Sequence, residues 1–448
     1  MLDEITTRLI YNFNEHWKTG KADARIKETI KRRRYYEILN YLNDRQVISI
    51  VGLRRTGKTT ILFQIIDNLI EKKIAPENIF YFSFDEITGK TPEMLDEIIQ
   101  YYFSEVLKKD IKGKEKIYLF LDEIQKVKDW QIIIKRYYDL NYNLKIIVSG
   151  SEGLVIKKKT KESLAGRNYE FLVYPLSFKE YLEFKGIKIE NNSYETLYKK
   201  LIPEKEKIKA LLNEFLLKGG FPETINLETD KLQSYIKNSV IDKIIFSDIP
   251  SQFKIENPEI LLKIMEIASQ NTSQLFEVNN LTEGLKIGRN SASSYLFYLI
   301  SSFLISLSYN FTQSKLKQIR TSKKIFVCDN GIINSLLKQP VLNNEEFIGK
   351  LAETQVYNEL SKISNVYFWR DKAKHEIDII IKNKTILPIE VKYRREIGKE
   401  QIKNTEFFIK KNQLKRGIII TKDIFKKQEK IEFIPLWLFL TGIDNLQE

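Results

Sequence analysis

QVISIVGLRRTGKTTILFQIIDNLIEKK, residues 46–73, decides the fold. QVISIVG (46–52) is a β-branched, apolar run ending in glycine, the pattern of a buried strand. ILFQIIDNLIEKK (61–73) carries apolar residues at helical spacing. Between them, GLRRTGKT (52–59) fits G-x-x-x-x-G-K-[ST] in the context that gives the motif meaning, strand before and helix after. Its two glycines let the backbone curl so that N–H groups converge on phosphate oxygens, and the helix N-terminus adds positive potential. Lys58 has the reach for β- and γ-phosphates, and the Thr59 hydroxyl is a Mg²⁺ ligand type. Gly52, Arg55, Thr56, Gly57, Lys58, Thr59 and Thr60 are therefore the candidate nucleotide-binding set, with ATP and Mg²⁺ as expected ligands. No base-recognition motif separates ATP from GTP.

Further strands read outward from this unit: NIFYFSF (78–84), IYLFLD (117–122), KIIVSG (145–150) and YEFLVY (169–174), with helical patterns at 91–109 and 129–139. Strands alternating with helices predict an α/β fold with a parallel sheet covered on both faces. In IYLFLDE, Asp122 is placed to ligate or orient magnesium, and Glu123 to act as general base toward water. Ser149 ends the fourth strand, with a hydroxyl available to orient that water. Arg167, before the fifth strand, reads equally as an arginine reaching a neighbouring subunit's nucleotide and as an ordinary surface arginine.

The chain has 448 residues, which predicts three or four domains, and 43% hydrophobic residues argue against extended disorder. A net charge of +14 favours polyanionic partners, nucleic acid first, with DNA as the expected partner of the whole chain. No apolar run reaches the roughly 18 residues of a membrane span, and no signal peptide is read in MLDEITTRLI, so no membrane partner is expected. A single cysteine, Cys328, fits a reducing cytoplasm, and two histidines beside it argue against structural zinc. Heavy use of Ile, Lys, Glu, Tyr and Asn fits a thermophile and an AT-rich genome alike.

Residues 1–45 read as helical, with KRRR (31–34) as a charged helix face in preference to a binding patch. Residues 177–250 are mostly helical, with a turn at GGFP (219–222). NLTEGLKIGRNSASSYLFYLISSFLI (280–305) reads as a short helix, a turn at Gly288 and a longer helix capped by Asn290 and Ser291. LISLSYN and KKIFVCD would form a wing with Lys315, Lys317, Arg320, Lys323 and Lys324 against phosphate. Arg289, Asn290, Ser291 and Lys323, with Gln401 further on, are the candidate DNA contacts; for the helix-turn-helix the alternative is a small helical domain used for protein contacts. EIDIIIKNKTILPIEVK (376–392) reads as a hairpin whose ends carry Asp378, Glu390 and Lys392, with Glu353 on the helix GKLAETQVYNEL (349–360). Such carboxylates suit Mg²⁺ or Mn²⁺, and the lysine could activate water against a scissile phosphate. The alternatives are a hairpin with charged ends or a fold retained for docking. IEFIPLWLF (431–439) reads as a last β-rich run.

GLRRTGKTT, FLDEIQ, VSGSEG, SLAGRNYEFLVYPLSF and LLKGGFPE together resemble archaeal and bacterial AAA-like P-loop ATPases over residues 45–440. After the N-terminal helical segment (1–45), the resemblance implies a P-loop NTPase (AAA-like) core (46–176) and a helical lid (177–255). It further implies a winged-helix module (256–340) and a C-terminal restriction-endonuclease-like α/β domain (341–448). Asp378, Glu390 and Lys392 resemble the PD-(D/E)XK signature, Glu353 matches the acid of the preceding helix, and Gln401 resembles a glutamine of some branches. Ile377 stands where proline often precedes the aspartate, and Thr405 where one subfamily has tyrosine. The expected function is a Mg²⁺-dependent ATPase acting on DNA, self-associating into a ring or other homo-oligomer, with a C-terminal nuclease-like domain able to cut. The alternative is an NTPase switch, scaffold or DNA motor in which that fold only binds DNA or a partner.

Overall fold

The computed structural model describes residues 2–21, 29–87, 89–109, 113–140, 142–151, 164–312, 314, 316, 318, 321–338 and 344–446. Lys315, Lys317, Arg320, Ser163 and residues 152–153 of VSGSEG lie outside the described residues. The chain divides into two compact units, Met1–Tyr174 and Pro175–Glu448.

In the first unit, α1 (Glu4–Phe13) and α2 (Arg33–Leu39) precede β1 (Val47–Val51) and α3 (Lys58–Glu71). Then come β2 (Ile79–Ser83), α4 (Pro92–Tyr101), β3 (Ile117–Asp122), α5 (Trp130–Asp139), β4 (Leu144–Gly150) and β5 (Asn168–Leu172). The five strands form one parallel sheet in the order β2-β3-β4-β1-β5. Period two divides their side chains between two cores. Val47, Val51, Leu119, Leu121, Ile146 and Val148 face α4 and α5, whereas Ile48, Ile50, Tyr118, Phe120 and Ile147 face α2 and α3. Each fully buried branched or aromatic side chain contributes roughly 1.5–3 kcal/mol. Because β1 is inserted between β4 and β5, its carboxyl end opens beside those of β4 and β3, the usual ligand position in such sheets.

The second unit begins with α6 (Phe178–Phe184), α7 (Tyr194–Leu201), α8 (Lys205–Lys218) and α9 (Thr229–Ile236). Next are α10 (Glu259–Gln270), β6 (Leu275–Phe276), α11 (Val278–Leu285), α12 (Arg289–Ser301), β7 (Ile305–Asn310), β8 (Lys323–Val327) and α13 (Asn330–Leu337). It closes with α14 (Glu345–Ser361), β9 (Val366–Arg370), β10 (Glu376–Lys382), β11 (Ile386–Val391), α15 (Lys399–Lys411), β12 (Gly417–Thr421), β13 (Lys426–Gln428), β14 (Ile431–Pro435) and α16 (Leu436–Thr441). One nine-stranded sheet runs β13-β14-β12-β11-β10-β9-β7-β8-β6, so the segments 256–340 and 341–448 share a sheet through the parallel pairing of Tyr309 with Tyr367. α14 covers Ile379, Ile381, Ile389 and Ile418, while α15 lies with Ile377, Ile380 and Ile419 on the other side.

Two expectations change. The helices α6 to α8, within the segment expected as a lid (177–255), lie in the second unit, where Phe178, Tyr181, Leu212 and Phe215 share a core with Tyr357, Trp437 and Phe439. The turn before α12 places its left-handed residue at Lys286 (φ 53°), and Gly288 is itself the N-cap. Asn290 and Ser291 therefore lie in the first turn of α12 and cap nothing. The run IEFIPLWLF is not one strand: the ladder ends at Pro435, whose fixed φ starts α16. The GGFP turn is structural, since Asp329 accepts the Gly220 N–H (2.7 Å) and the Gly331 N–H (2.8 Å).

Lys145 lies in β4 with no exposed surface, and its ammonium donates to the carbonyls of Tyr41 (2.7 Å), Asp44 (2.8 Å) and Gln46 (2.7 Å). It thereby fastens the chain between α2 and β1 to the sheet. Lys145→Met removes these donors from partly buried carbonyls, each worth about 1–3 kcal/mol when stranded. The variant is expected to lose at least about 2 kcal/mol of first-unit stability in denaturant titration; an unchanged midpoint would refute this role.

Candidate functional site

The loop after β1 is set by close approach. Gly52 has φ 151°, and a Cβ there would lie 2.2 Å from the Val173 carbonyl oxygen, so no larger residue fits. Gly57 (φ 91°) and Arg55 (φ 63°) complete the curl. Thr56 turns its hydroxyl inward onto the Leu53 carbonyl (2.9 Å), and its own carbonyl accepts from Arg32 (2.8 Å). Arg32 also reaches the Tyr174 carbonyl (3.0 Å) and is buried, so part of KRRR is an internal brace of the phosphate loop. Arg33 and Arg34 bond Glu37 on their own helix, as a charged helix face would.

Lys58 is buried and folds back onto the carbonyls of Gly52 (3.1 Å) and Leu53 (2.8 Å). Thr59 donates to Asp122 Oδ2 (2.8 Å), joined there by the Tyr81 hydroxyl (3.0 Å); Asp122 Oδ1 accepts from the Ser149 hydroxyl and the Glu123 N–H (3.0 Å). Burial and then the neighbouring Asp122 hold the Tyr81 phenol well above its usual range, so it stays a donor. Glu123 adopts a left-handed conformation (φ 53°), uncommon for a side chain of its size and frequent at functional sites. It is half-buried and accepts from Gln125 (2.6 Å), whose amide also reaches Ser151 (3.1 Å). Thr60 follows on α3.

These residues fit Mg²⁺ and a nucleoside triphosphate. A hydroxyl and a carboxylate, already hydrogen-bonded, supply hard oxygen ligands, and a buried ammonium stands in a loop of backbone amides. Ser149 donates its hydroxyl to Asp122, which orients the acid. Arg167 is not brought here. Its carbonyl accepts the Val47 N–H, which puts it at the amino end of β1, roughly 16 Å from the loop at ~3.3 Å per residue. Its guanidinium binds Asp139 (3.0 Å). Tyr81, Gln125 and Arg32 were missed as site residues, because a tyrosine inside an apolar strand and an arginine in a basic run carry no local signal.

The second unit brings Glu353, Asp378, Glu390 and Lys392 together, as their spacing suggested. Lys392 binds Glu390 (2.6 Å) and lies 3.9 Å from Asp378. The β9–β10 register shifts between Ile377 and Ile380, a bulge at Asp378, whose Oδ2 accepts the Val391 N–H (3.0 Å). Sequence reasoning missed two further members, Lys324 and Glu376. Lys324 was expected on a wing against phosphate; instead it is buried, its ammonium 2.9 Å from Glu353, 2.8 Å from Glu376 and 3.2 Å from Asp378. Among the described residues no group of three or more acids, histidines or cysteines is arranged to hold a metal ion, Glu353, Asp378 and Glu390 included. The reason is electrostatic: lysine ammonium groups occupy the space between the carboxylates. Gln401 is not recruited, since its side-chain oxygen caps α15 at the Gly398 N–H (2.7 Å). Arg289, Asn290 and Ser291 are exposed on the first turn of α12, and Lys323 lies over the Tyr309 ring.

Four carboxylates face the ammonium groups of Lys324 and Lys392, with the Arg370 guanidinium 3.6 Å from the partly buried Glu376, so complete ionisation would still leave excess negative charge on buried acids. Burial, then repulsion from Asp378, pushes Glu353 up to about 7 and Glu390 up to about 8. Asp378 is also opposed by burial, but Lys324 and Lys392 outweigh it and hold its carboxyl below the usual range.

The strand order and phosphate loop define the first unit as an AAA-like P-loop domain, and the AAA domain family matches residues 44–182. Two families described only as domains of unknown function, DUF8612 and DUF4143, match residues 209–342 and 348–439. The uncharacterized protein MJ1544 of Methanocaldococcus jannaschii is 30% identical over 409 residues, 87% of this chain and 86% of its own length. MJ1637 of the same organism is 29% identical over 456 residues, 96% of this chain and 93% of its own. The chain belongs to the family of MJ1544. Among solved structures it is similar to the Walker-type ATPase PABY2304 of Pyrococcus abyssi, at 16% identity and TM-score 0.44, covering 71% of this chain and 98% of that one. Among the described residues no helix is long and apolar enough to cross a membrane.

The raised acids make stability depend on pH. Unfolded, these glutamates release protons near 4.5; folded, near 7 and 8. Across that window the native state binds more protons than the unfolded state, so unfolding free energy falls as pH rises. The second unit's calorimetric transition is expected to move down between pH 5 and pH 8, with a shallower slope in Glu390→Gln; a flat wild-type profile would contradict this charge balance.

Proposed function

We propose that the chain is a Mg²⁺-dependent ATPase whose second unit engages DNA without cutting it. The observation that carries the first half is the convergence of Thr59, Tyr81, Ser149 and the Glu123 N–H on Asp122. Lys58 binds the β- and γ-phosphates by exchanging the Gly52 and Leu53 carbonyls for phosphate oxygens. Thr59 and Asp122 would hold the magnesium, which would supply neutralisation of charge on the phosphates. Ser149 and Tyr81 fix the rotamer of Asp122. Glu123, once released by Gln125, accepts a proton from the attacking water. Arg167 acts, on this reading, only toward a second copy in a ring or other homo-oligomer.

The DNA reading rests on the net charge of +14 and on the arrangement of α10, β6, α11, α12, β7 and β8. The antiparallel order β7-β8-β6 and the exposed first turn of α12 support a winged-helix module, with α12 presented to the groove and Arg289 and Lys323 to phosphate. The run α14-β9-β10-β11-α15-β12, with β10–β11 antiparallel and β11–β12 parallel, supports a nuclease-like fold. Lys324 among its acids favours binding over cutting.

Lys58→Ala is expected to weaken nucleotide binding at least about tenfold. Glu123→Gln should keep binding and lose roughly 10²–10⁴ in turnover. Full steady-state turnover in Glu123→Gln would remove it as the base. Arg289→Glu should weaken DNA retention in gel-shift assays and reduce its salt dependence. Linear, single-stranded and branched DNAs should stay intact with Mg²⁺ or Mn²⁺, with and without ATP. Cleavage by the wild type that disappears in Lys392→Ala would establish the cutting alternative.

A further inference from the structure

Lys324 sits in β8 between β6 and β7, its backbone paired with Leu275 on one side and Ser308 on the other. Its stem passes the Phe368 ring, with the ammonium 5.9 Å from the centroid. The position of the head is therefore set by sheet register, not by a loop. An ammonium has three N–H donors, and here three carboxylates take them: Glu353 from α14, and Glu376 and Asp378 from β10. The contacts, 2.8–3.2 Å, are those of charge-assisted hydrogen bonds. Hard divalent cations draw oxygens to roughly 2.0–2.6 Å. Glu390, the remaining acid, is taken by Lys392.

We propose that Lys324 is an internal cation in the place where these carboxylates would otherwise hold a divalent metal, so that strand β8 keeps the cluster closed to metal. The ammonium supplies the positive charge that lets α14 and β10 bring their acids together in a buried position, and it fastens β8 to both elements. Metal entry requires the lysine head to leave, which at fixed register strands at least part of its charge or that of its partners. This role stands on the cluster alone and holds whether or not the second unit binds DNA.

The test is Mn²⁺ binding to the nucleotide-free full chain, followed by electron paramagnetic resonance. Wild type and Asp378→Asn are expected to bind alike, since no metal is held there. Lys324→Ala, and Lys324→Met, which keeps the stem's packing, are expected to gain a further Mn²⁺ site at least about tenfold tighter than any wild-type site in this unit. Adding Asp378→Asn should abolish it. A wild-type Mn²⁺ site lost in Asp378→Asn would overturn the proposal. So would a folded Lys324→Met, judged by the near-ultraviolet signal of Trp369 and Trp437, that gains none. If neither Lys324 variant folds, the comparison of wild type with Asp378→Asn decides between a closed cluster and a metal site.

Discussion

A carboxylate at the end of a strand buried on both faces has to be fully paired, and Asp122 meets that constraint by gathering donors from four elements. Thr59 comes from α3, Tyr81 from β2, Ser149 from β4, and the Glu123 N–H from the residue after β3. The same bonds that satisfy the acid fix the start of α3 against the sheet, and with it the phosphate loop. Arg32 and the close approach of Gly52 to Val173 hold the loop from its other side. Stability and the nucleotide site are here one set of contacts, because the groups a buried acid needs are the groups a magnesium site needs.

The second unit solves a related problem differently. Its acids are also buried, but their partners are ammonium groups instead of hydroxyls. A lone buried carboxylate would cost several kcal/mol, and the four acids outnumber Lys324, Lys392 and the Arg370 guanidinium beside Glu376. The outcome is a graded cluster: Asp378, within 4 Å of both cations, is held below its usual range, while Glu353 and Glu390 rise toward neutral pH. The arrangement joins β8 to β10 and α14, which explains why segments read separately from sequence share a sheet.

Most of the first unit was legible. Five strands were read within one to two residues of their observed ends, because buried parallel strands are continuous apolar runs and their glycines and acids mark the ends. The contacts of Lys58 with Gly52, and of Thr59 and Glu123 with Asp122, join residues that the motifs single out, because motif and local structure coincide. The core that helices α6 to α8 join was not legible, since an amphipathic helix states that it must be covered but not by what. Pro435 was overlooked inside an apolar run where the period changes from strand to helix.

By itself, then, the sequence determined the phosphate loop, the acids beside it, the parallel sheet and the co-facing of Glu390 with Lys392. Each depends on neighbours a few residues apart, where backbone periodicity dictates geometry. Tertiary structure alone decided that Ser149 and Tyr81 serve Asp122, that Arg32 braces the loop, and that Lys324 enters the carboxylate cluster. Those pairings join positions tens of residues apart across strands, and charge or polarity at one position carries no record of the distant register that brings its partner within hydrogen-bonding distance.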